Sequence, residues 1–271
     1  MSTATPETVE GITADPLISV LSPEFLKSHY LTGLDFVDKD KKPIPTEFFV
    51  QKITTAAAVF KRLTNVHVLQ TVIVDERHDY HSSDYRNFSF IQLFEYPVVE
   101  VTSVHGIYPT GQSLMNFPTD WFRVDKAHGQ LNLVPTSGSL ASVLIGQSGA
   151  FLPLVFGAST LPHVFSIGYT TGFAAGAIPW DVIDAIAKLA CIEIFTVMGL
   201  TVFPVGVSNI SAGIDGLSQS MGFINNGQAP AAFSGWIATY RSDLYGNKQL
   251  GMNGMIRDLK EQYRGITLTS M

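Results

Sequence analysis

The residues of this sequence best suited to chemistry lie between positions 75 and 84, where two histidines stand among charged side chains. Besides His78 and His81, the segment contains Asp75, Glu76, Arg77, Asp79 and Asp84. Imidazole and carboxylate groups bind divalent metals, so a small metal-binding hydrolase domain is one interpretation. The other is a solvated hairpin loop between two strands, because loops are exposed and polar. No spacing in the segment defines a ligand geometry, and we therefore predict the loop, with no metal and no cofactor.

Motifs of other catalytic classes are incomplete. Ser148 follows a glutamine and lacks the paired glycines of a nucleophile elbow. Lys248 stands close to Gly246, but neither the spacing nor a preceding strand matches a phosphate-binding loop. Asp181 and Asp184 open a predicted helix, where acidic side chains stabilise the helix dipole. We predict no catalytic residues and no enzymatic activity.

Charged residues are scarce, at 15% of the 271 residues, whereas about 25% is usual. The net charge of −6 offers no basic surface for a nucleic-acid backbone. The single cysteine, Cys191, excludes an internal disulfide, and we expect it to be a buried apolar side chain. Positions 1–16 lack the basic start and apolar core of a secretory signal and are expected to form a flexible polar tail.

The distribution of the charge is more informative than its total. The 54 residues from Ala127 to Trp180 include no Asp, Glu, Lys or Arg. Their glycine, serine and proline content is too high for core alone, so the preferred interpretation is burial against other subunits. Positions 140–165 are long enough to cross a bilayer, but prolines, glycines and polar residues interrupt them. We predict no membrane span.

Helical periodicity occurs towards both ends of the chain, and β-branched, alternating segments lie between. Predicted helices cover 24–31, 46–63, 179–198 and, with an interruption at 251–254, 234–263. Predicted strands cover 66–74, 88–94, 98–108, 121–124, 131–134 and 164–170. Valines on both faces of 98–108 suggest a strand between its own core and a neighbouring subunit. Positions 201–232 hold too much glycine for a regular element.

This order predicts an α+β fold, a helical bundle with an inserted antiparallel β portion and an extended C-terminal arm. The tail occupies 1–16, the core 17–200 with its strands at about 66–171, and the C-terminal extension and arm 201–271.

Several short segments follow one another along the chain in a recognisable order. They are the alanine-bearing helix at 53–62, TVIVD at 71–75, IQLFEYPVVEVTSV at 91–104, FRVD at 122–125, GQLNL at 129–133, FSIGYTTG at 165–172 and the helix start around Asp181. Their order is similar to that of the head–tail connector, or adaptor, proteins of tailed bacteriophages, over about residues 22–198.

The resemblance implies a structural virion protein of the neck that assembles in the host cytoplasm. Its implied partners are further copies in a ring, usually of twelve, the portal protein and a tail-side protein. DNA would pass through the lumen during ejection without specific binding. A stopper or tail-terminator subunit is the alternative within the same particle.

The resemblance also implies that the C-terminal arm grips the portal. The arm carries an apolar stripe at helical spacing, formed by Met252, Met255, Ile256, Leu259 and Tyr263. A helix this short needs a surface to lie on. That surface is either a groove on the portal, which makes the five residues the predicted portal-binding site, or the same subunit.

Overall fold

Helices from both ends of the chain enclose one core, and an antiparallel sheet inserted between them encloses a second. The computed structural model describes residues 16–37, 40–81, 84, 90–107, 111, 113–126, 128–136, 159–202, 209–214, 217–222, 233–247 and 251–264. The predicted tail, apart from Pro16, lies outside the described residues, as do positions 137–158 of the uncharged stretch.

The helices begin and end close to their sequence signals. They are α1 (Pro16–Val20), α2 (Pro23–His29), α3 (Thr46–Thr64), α4 (Trp180–Val202), α5 (Ser234–Tyr245) and α6 (Met255–Arg264). Ser22 caps α2 by accepting the backbone N–H of Phe25 at 3.1 Å. Asn65 ends α3 in the left-handed conformation. The prediction placed no helix at α1, but the other predicted helices and the interruption at 251–254 are confirmed.

Apolar side chains from all six helices form a single cluster, the helical core. It includes Leu17, Leu26, Phe49, Phe60, Ile183, Ile194, Leu244 and Leu259. Cys191 is fully buried in it, as predicted. Burial raises the pKa of the Cys191 thiol. The start and the end of the described chain therefore share one core.

Four antiparallel strands form the main sheet, in the order β1 (Thr71–His81), β7 (Thr160–Thr171), β3 (Val98–Ile107) and β4 (Ser113–Asn116). Beside it lies a small sheet in the order β2 (Ile91–Gln92), β6 (Gln130–Leu133), β5 (Phe122–Asp125). Buried residues from both sheets, among them Tyr80, Val104, Leu131 and Tyr169, form the sheet core. The predicted α+β fold, a helical bundle with an inserted antiparallel β portion, is confirmed.

Two further hairpins lie in the C-terminal extension: β8 (Asn209–Ile214) with β9 (Leu217–Gly222), and β10 (Gly246–Asn247) with β11 (Met252–Asn253). The expectation of no regular element at 201–232 is therefore wrong for β8 and β9.

The predicted solvated loop at 75–84 is wrong over residues 75–81. β1 starts at Thr71 and continues to His81, paired with β7 along its length. Its inward positions are Glu76, His78 and Tyr80, all buried. The segment forms a strand because the buried carboxylate of Glu76 has hydrogen-bond partners in β7 and in the segment before β3.

Two smaller expectations are wrong, one on the two faces of β3 and one on the length of the strand at 88–94. Val98, Val101 and Val104 are all buried in the sheet core, although strict alternation would place Val101 on the opposite face. Two bulges in β3, each adding one residue opposite β7, turn these side chains to the same side. Within the described part of the strand expected at 88–94, residues 90–94, the strand is confined to Ile91–Gln92, and Phe90 and Phe94 are exposed.

Candidate functional site

The buried carboxylate of Glu76 is the centre of the polar contacts within the sheet. Its Oε1 accepts the backbone N–H of Phe94 at 3.0 Å and lies 2.6 Å from Nε2 of His78. Its Oε2 accepts the hydroxyl of Tyr169 at 2.5 Å. Both oxygens have partners inside the protein, as a buried carboxylate requires. The side chain thereby joins β1, β7 and the segment before β3.

The hydroxyl of Tyr169 acts as donor and acceptor at once. It donates to Glu76 and accepts the backbone N–H of Glu95 at 3.2 Å. Burial, followed by the hydrogen bond to Glu76, raises the pKa of Tyr169 far above its usual value. The phenol therefore remains a neutral donor, and this arrangement stabilises the sheet without exposing a reactive group.

A contact between His67 and Glu95 extends this network towards the helical core. Nε2 of His67, just after α3, lies 2.9 Å from Oε2 of Glu95, although the two atoms lack hydrogen-bond geometry. Burial, helped by the positive charge of Lys61, lowers the pKa of His67. The backbone N–H of His67 donates to the carbonyl of Tyr96 at 2.7 Å. The segment after α3 is thereby held against the segment before β3.

The two histidines considered as metal ligands have different environments. His78 is buried, is stacked on Phe94 with 4.5 Å between ring centroids, and directs Nε2 to Glu76. His81 is exposed, with Nδ1 3.3 Å from Oγ1 of Thr160. Both line an open groove of about 460 Å³ at the end of the sheet. Within the described residues, no three His, Cys, Asp or Glu side chains are arranged to hold a metal ion.

The five predicted portal-binding residues divide between core and surface. Ile256 and Leu259 are buried in the helical core of their own subunit. Met255 and Tyr263 are half-buried, the latter in edge contact with Phe173 at 5.3 Å between ring centroids. Met252, in β11, is 64% exposed. The alternative of packing on the same subunit thus describes the inner side of α6, while Met252 remains accessible.

An open groove of about 370 Å³ lies where α4, α5, β11 and α6 meet, and we call it the arm groove. Three of the five arm residues, Met252, Met255 and Leu259, supply apolar lining. Asp181, Lys188, Asp243 and Asp258 supply the charges. The arm groove therefore combines adaptable methionines with an acidic rim.

Only some of the acidic side chains of the arm groove are neutralised. Nζ of Lys188 lies 3.0 Å from Asp184 and 3.1 Å from Asp243. Burial lowers the pKa of Lys188, but hydrogen bonds and charge attraction to Asp184 and Asp243 together raise it above its usual value. No cation of the described residues lies in an ion pair with Asp181 or Asp258. The arm groove consequently keeps an excess of negative charge.

Neither the Glu76 network nor the arm groove was foreseen from the sequence. A signal for the first existed, since Glu76, His78 and Tyr80 alternate with exposed residues at the period of a strand. For the second there was none, because its lining comes from four separate elements.

No helix among the described residues has the length and apolar character needed to cross a bilayer. No protein-family model matches the sequence, and no curated protein matches it. Among solved structures, a chain in "Virion of native gene transfer agent (GTA) particle" is 15% identical with a TM-score of 0.39, and the match covers 69% of this chain and 82% of that one.

Two further similar chains belong to neck structures. One is in "Neck of empty GTA particle computed with C6 symmetry", at 16% identity and TM-score 0.32, with 54% of this chain and 66% of that one covered. The other is in "Neck of native GTA particle computed with C12 symmetry", at 17% identity and TM-score 0.34, with 54% and 69% covered. The structural neighbours of this chain are thus components of gene transfer agent particles and their necks.

Proposed function

We propose that this chain is a structural subunit of the head–tail connector ring of a tailed-phage-like particle, joining the portal to the tail and lining the DNA channel. The observation that carries the proposal is the architecture: an antiparallel β portion inserted between helices that close on a single bundle. This is the architecture implied by the sequence resemblance to head–tail adaptors. The proposed partners are further copies of the chain, the portal and a tail-side protein.

Exposed apolar side chains support a role in assembly. Val72 and Val74 on the edge strand β1 are 65% and 78% exposed. Trp180 and Trp236 are also largely exposed on the helices. Large apolar side chains exposed in this number favour subunit contact. Among the described strands none pairs with the outer edge of β1, and this edge with its valines offers a further contact surface.

Ring formation is tested by imaging particle necks down their axis. We expect about twelve copies of this chain around the channel. A sixfold ring would instead favour the stopper or tail-terminator role, and a chain present as a monomer in the particle would contradict every ring proposal.

The negative net charge supports a channel that DNA passes without binding. Filter binding with duplex DNA at low salt should show no appreciable affinity. Tight, salt-sensitive retention would contradict this part of the proposal, since it would reveal a basic surface.

We further propose that the arm contacts the portal through the accessible members of Met252, Met255, Ile256, Leu259 and Tyr263. Deleting α6 would remove Ile256 and Leu259 from the core, so a surface substitution is the better test. Met252→Asp should leave a folded protein that attaches poorly to portal-bearing heads. Phe90→Asp is the matched control, because it makes the same change at an exposed side chain of the sheet. Equal attachment of the two variants would overturn the portal contact.

A further inference from the structure

Among the described residues, no cation pairs with Asp181 or Asp258 at the acidic rim of the arm groove, and the chain carries a complementary basic surface elsewhere. We propose that the C-terminal end of α3, with Lys61 and Arg62, docks at the arm groove of a neighbouring copy. The inference rests on the proposed ring and deepens it, because it specifies which surface of one copy meets which surface of the next.

On the acidic side of the contact, Asp181 and Asp258 stand in the first turns of α4 and α6. Carboxylates are favoured at these positions by the helix dipole. Lys188 is already engaged by Asp184 and Asp243. The two remaining carboxylates are therefore available to cations supplied from outside the subunit.

On the basic side, Lys61 and Arg62 are exposed in the last turn of α3. The same dipole argument favours cations at a helix C-terminus. Neither side chain lies in an ion pair with an acidic group of the described residues. Their long apolar stems can also cover Met255 while the charged ends meet the carboxylates, which leaves the more exposed Met252 to the proposed portal contact.

Both surfaces lie at the same end of the helical bundle. The backbone N–H of Gln70, six residues after α3, donates to the carbonyl of Phe173, seven residues before α4, at 3.1 Å. The end of α3 and the start of α4 therefore both adjoin the sheet. Within a subunit the two surfaces form no ion pair, although they share this level. A head-to-tail contact joins two different surfaces of one chain, as the end of α3 and the arm groove are, and it closes into a ring when its rotation closes.

A second copy fits the acidic rim of the arm groove better than the terminal segments of the same chain or DNA would. Residues 1–15 carry Glu7, Glu10 and Asp15 and no basic residue, so the acidic rim would repel them. Residues 265–271 carry no charged side chain. DNA phosphates would be repelled as well.

Reciprocal charge reversal tests the contact with the full-length chain. One variant carries Lys61→Glu and Arg62→Glu, and the other carries Asp181→Lys and Asp258→Lys. Each variant alone would face like charges across every contact, and its apparent dissociation constant for assembly should rise at least about tenfold. Mixed one to one, the variants should assemble into rings in which they alternate. Native mass spectrometry separates such rings from those of either variant.

The control is Lys126→Glu, which reverses an exposed charge on the sheet and should leave assembly unchanged. Circular dichroism establishes that each variant is folded. Asp181→Asn with Asp258→Asn, which keeps the side-chain shapes, should show an intermediate loss. If the wild-type protein forms rings and both charge-reversed variants form them equally well, the inference is overturned while the ring stands. If the wild-type protein is a monomer both in particle necks and at high concentration in solution, the proposed function fails and the inference fails with it.

Discussion

The hydroxyl of Tyr169 in β7 donates a 2.5 Å hydrogen bond to Oε2 of Glu76 in β1. The two residues are not cross-strand partners, since Glu76 pairs with Ile167, two positions along β7. The diagonal contact lies on the inner face of the sheet, where both side chains are buried. It explains how an acidic residue is accommodated inside an apolar cluster.

Tyr169→Phe should lower the free energy of unfolding by about 1–3 kcal/mol, because it leaves Oε2 of Glu76 buried without its donor. Urea unfolding followed by circular dichroism measures the loss. Tyr245→Phe removes a hydroxyl from a largely exposed ring and should change stability by less than about 0.5 kcal/mol. Equal losses for the two variants would mean that the hydrogen bond adds nothing.

Stability should decrease as the pH falls below the usual histidine pKa of 6.5, and His67 should account for much of the decrease. Burial lowers the pKa of His67 in the folded protein, so at such pH values the unfolded chain takes up the proton more readily. His67→Gln should therefore flatten the dependence of the urea midpoint on pH between about 7.5 and 5.5. An unchanged slope in His67→Gln would contradict the assignment.

Gly172 follows β7 with φ +99°, and an added Cβ would lie 2.2 Å from the carbonyl oxygen of Leu69. Gly172→Ala should destabilise the protein by about 2–4 kcal/mol, because backbone strain and a clash with main-chain atoms combine. Gly176 has φ +83° with no atom within 4 Å of such a Cβ. Gly176→Ala should cost only about 1 kcal/mol. Thermal melting of the two variants measures the difference that the clash causes. Similar losses of stability for both would rule out the clash at Gly172.

The inner side of the arm helix should behave as core. Leu259→Ala is expected to lower the free energy of unfolding by about 2–5 kcal/mol, because Leu259 is 2% exposed in the helical core. Met252→Ala should change it by less than about 0.5 kcal/mol, since that side chain is mostly in solvent. Chemical denaturation of both variants measures the two losses of unfolding free energy. A negligible loss for Leu259→Ala would show that α6 is not held against its own subunit.

The helices could be predicted because their signals are local. Ser22 and Pro23 start α2, Asn65 ends α3, and apolar spacing marks the buried face of each longer helix. The hairpin of β5 and β6 was likewise evident from two apolar segments around a turn at Gly129. In each case the decisive interactions join residues a few positions apart, so the order of residues contains them.

The course of β1 was decided by residues far along the chain. The segment from Asp75 to His81 has the composition of a loop, and it becomes a strand because Tyr169 and the backbone of Phe94 satisfy Glu76. Bulges in β3 similarly depend on its pairing with β7.

The sequence alone predicted an apolar stripe in the C-terminal arm, because apolar residues recur there at helical spacing. They are Met252, Met255, Ile256, Leu259 and Tyr263. The tertiary structure decided what covers its inner side, because α3, α4 and α5 surround Ile256 and Leu259. It also assembled the arm groove, whose acidic rim unites Asp181 with Asp243 and Asp258 from distant positions. Helix amphipathicity follows from the period of the residues, whereas a surface built from four elements exists only once those elements pack together.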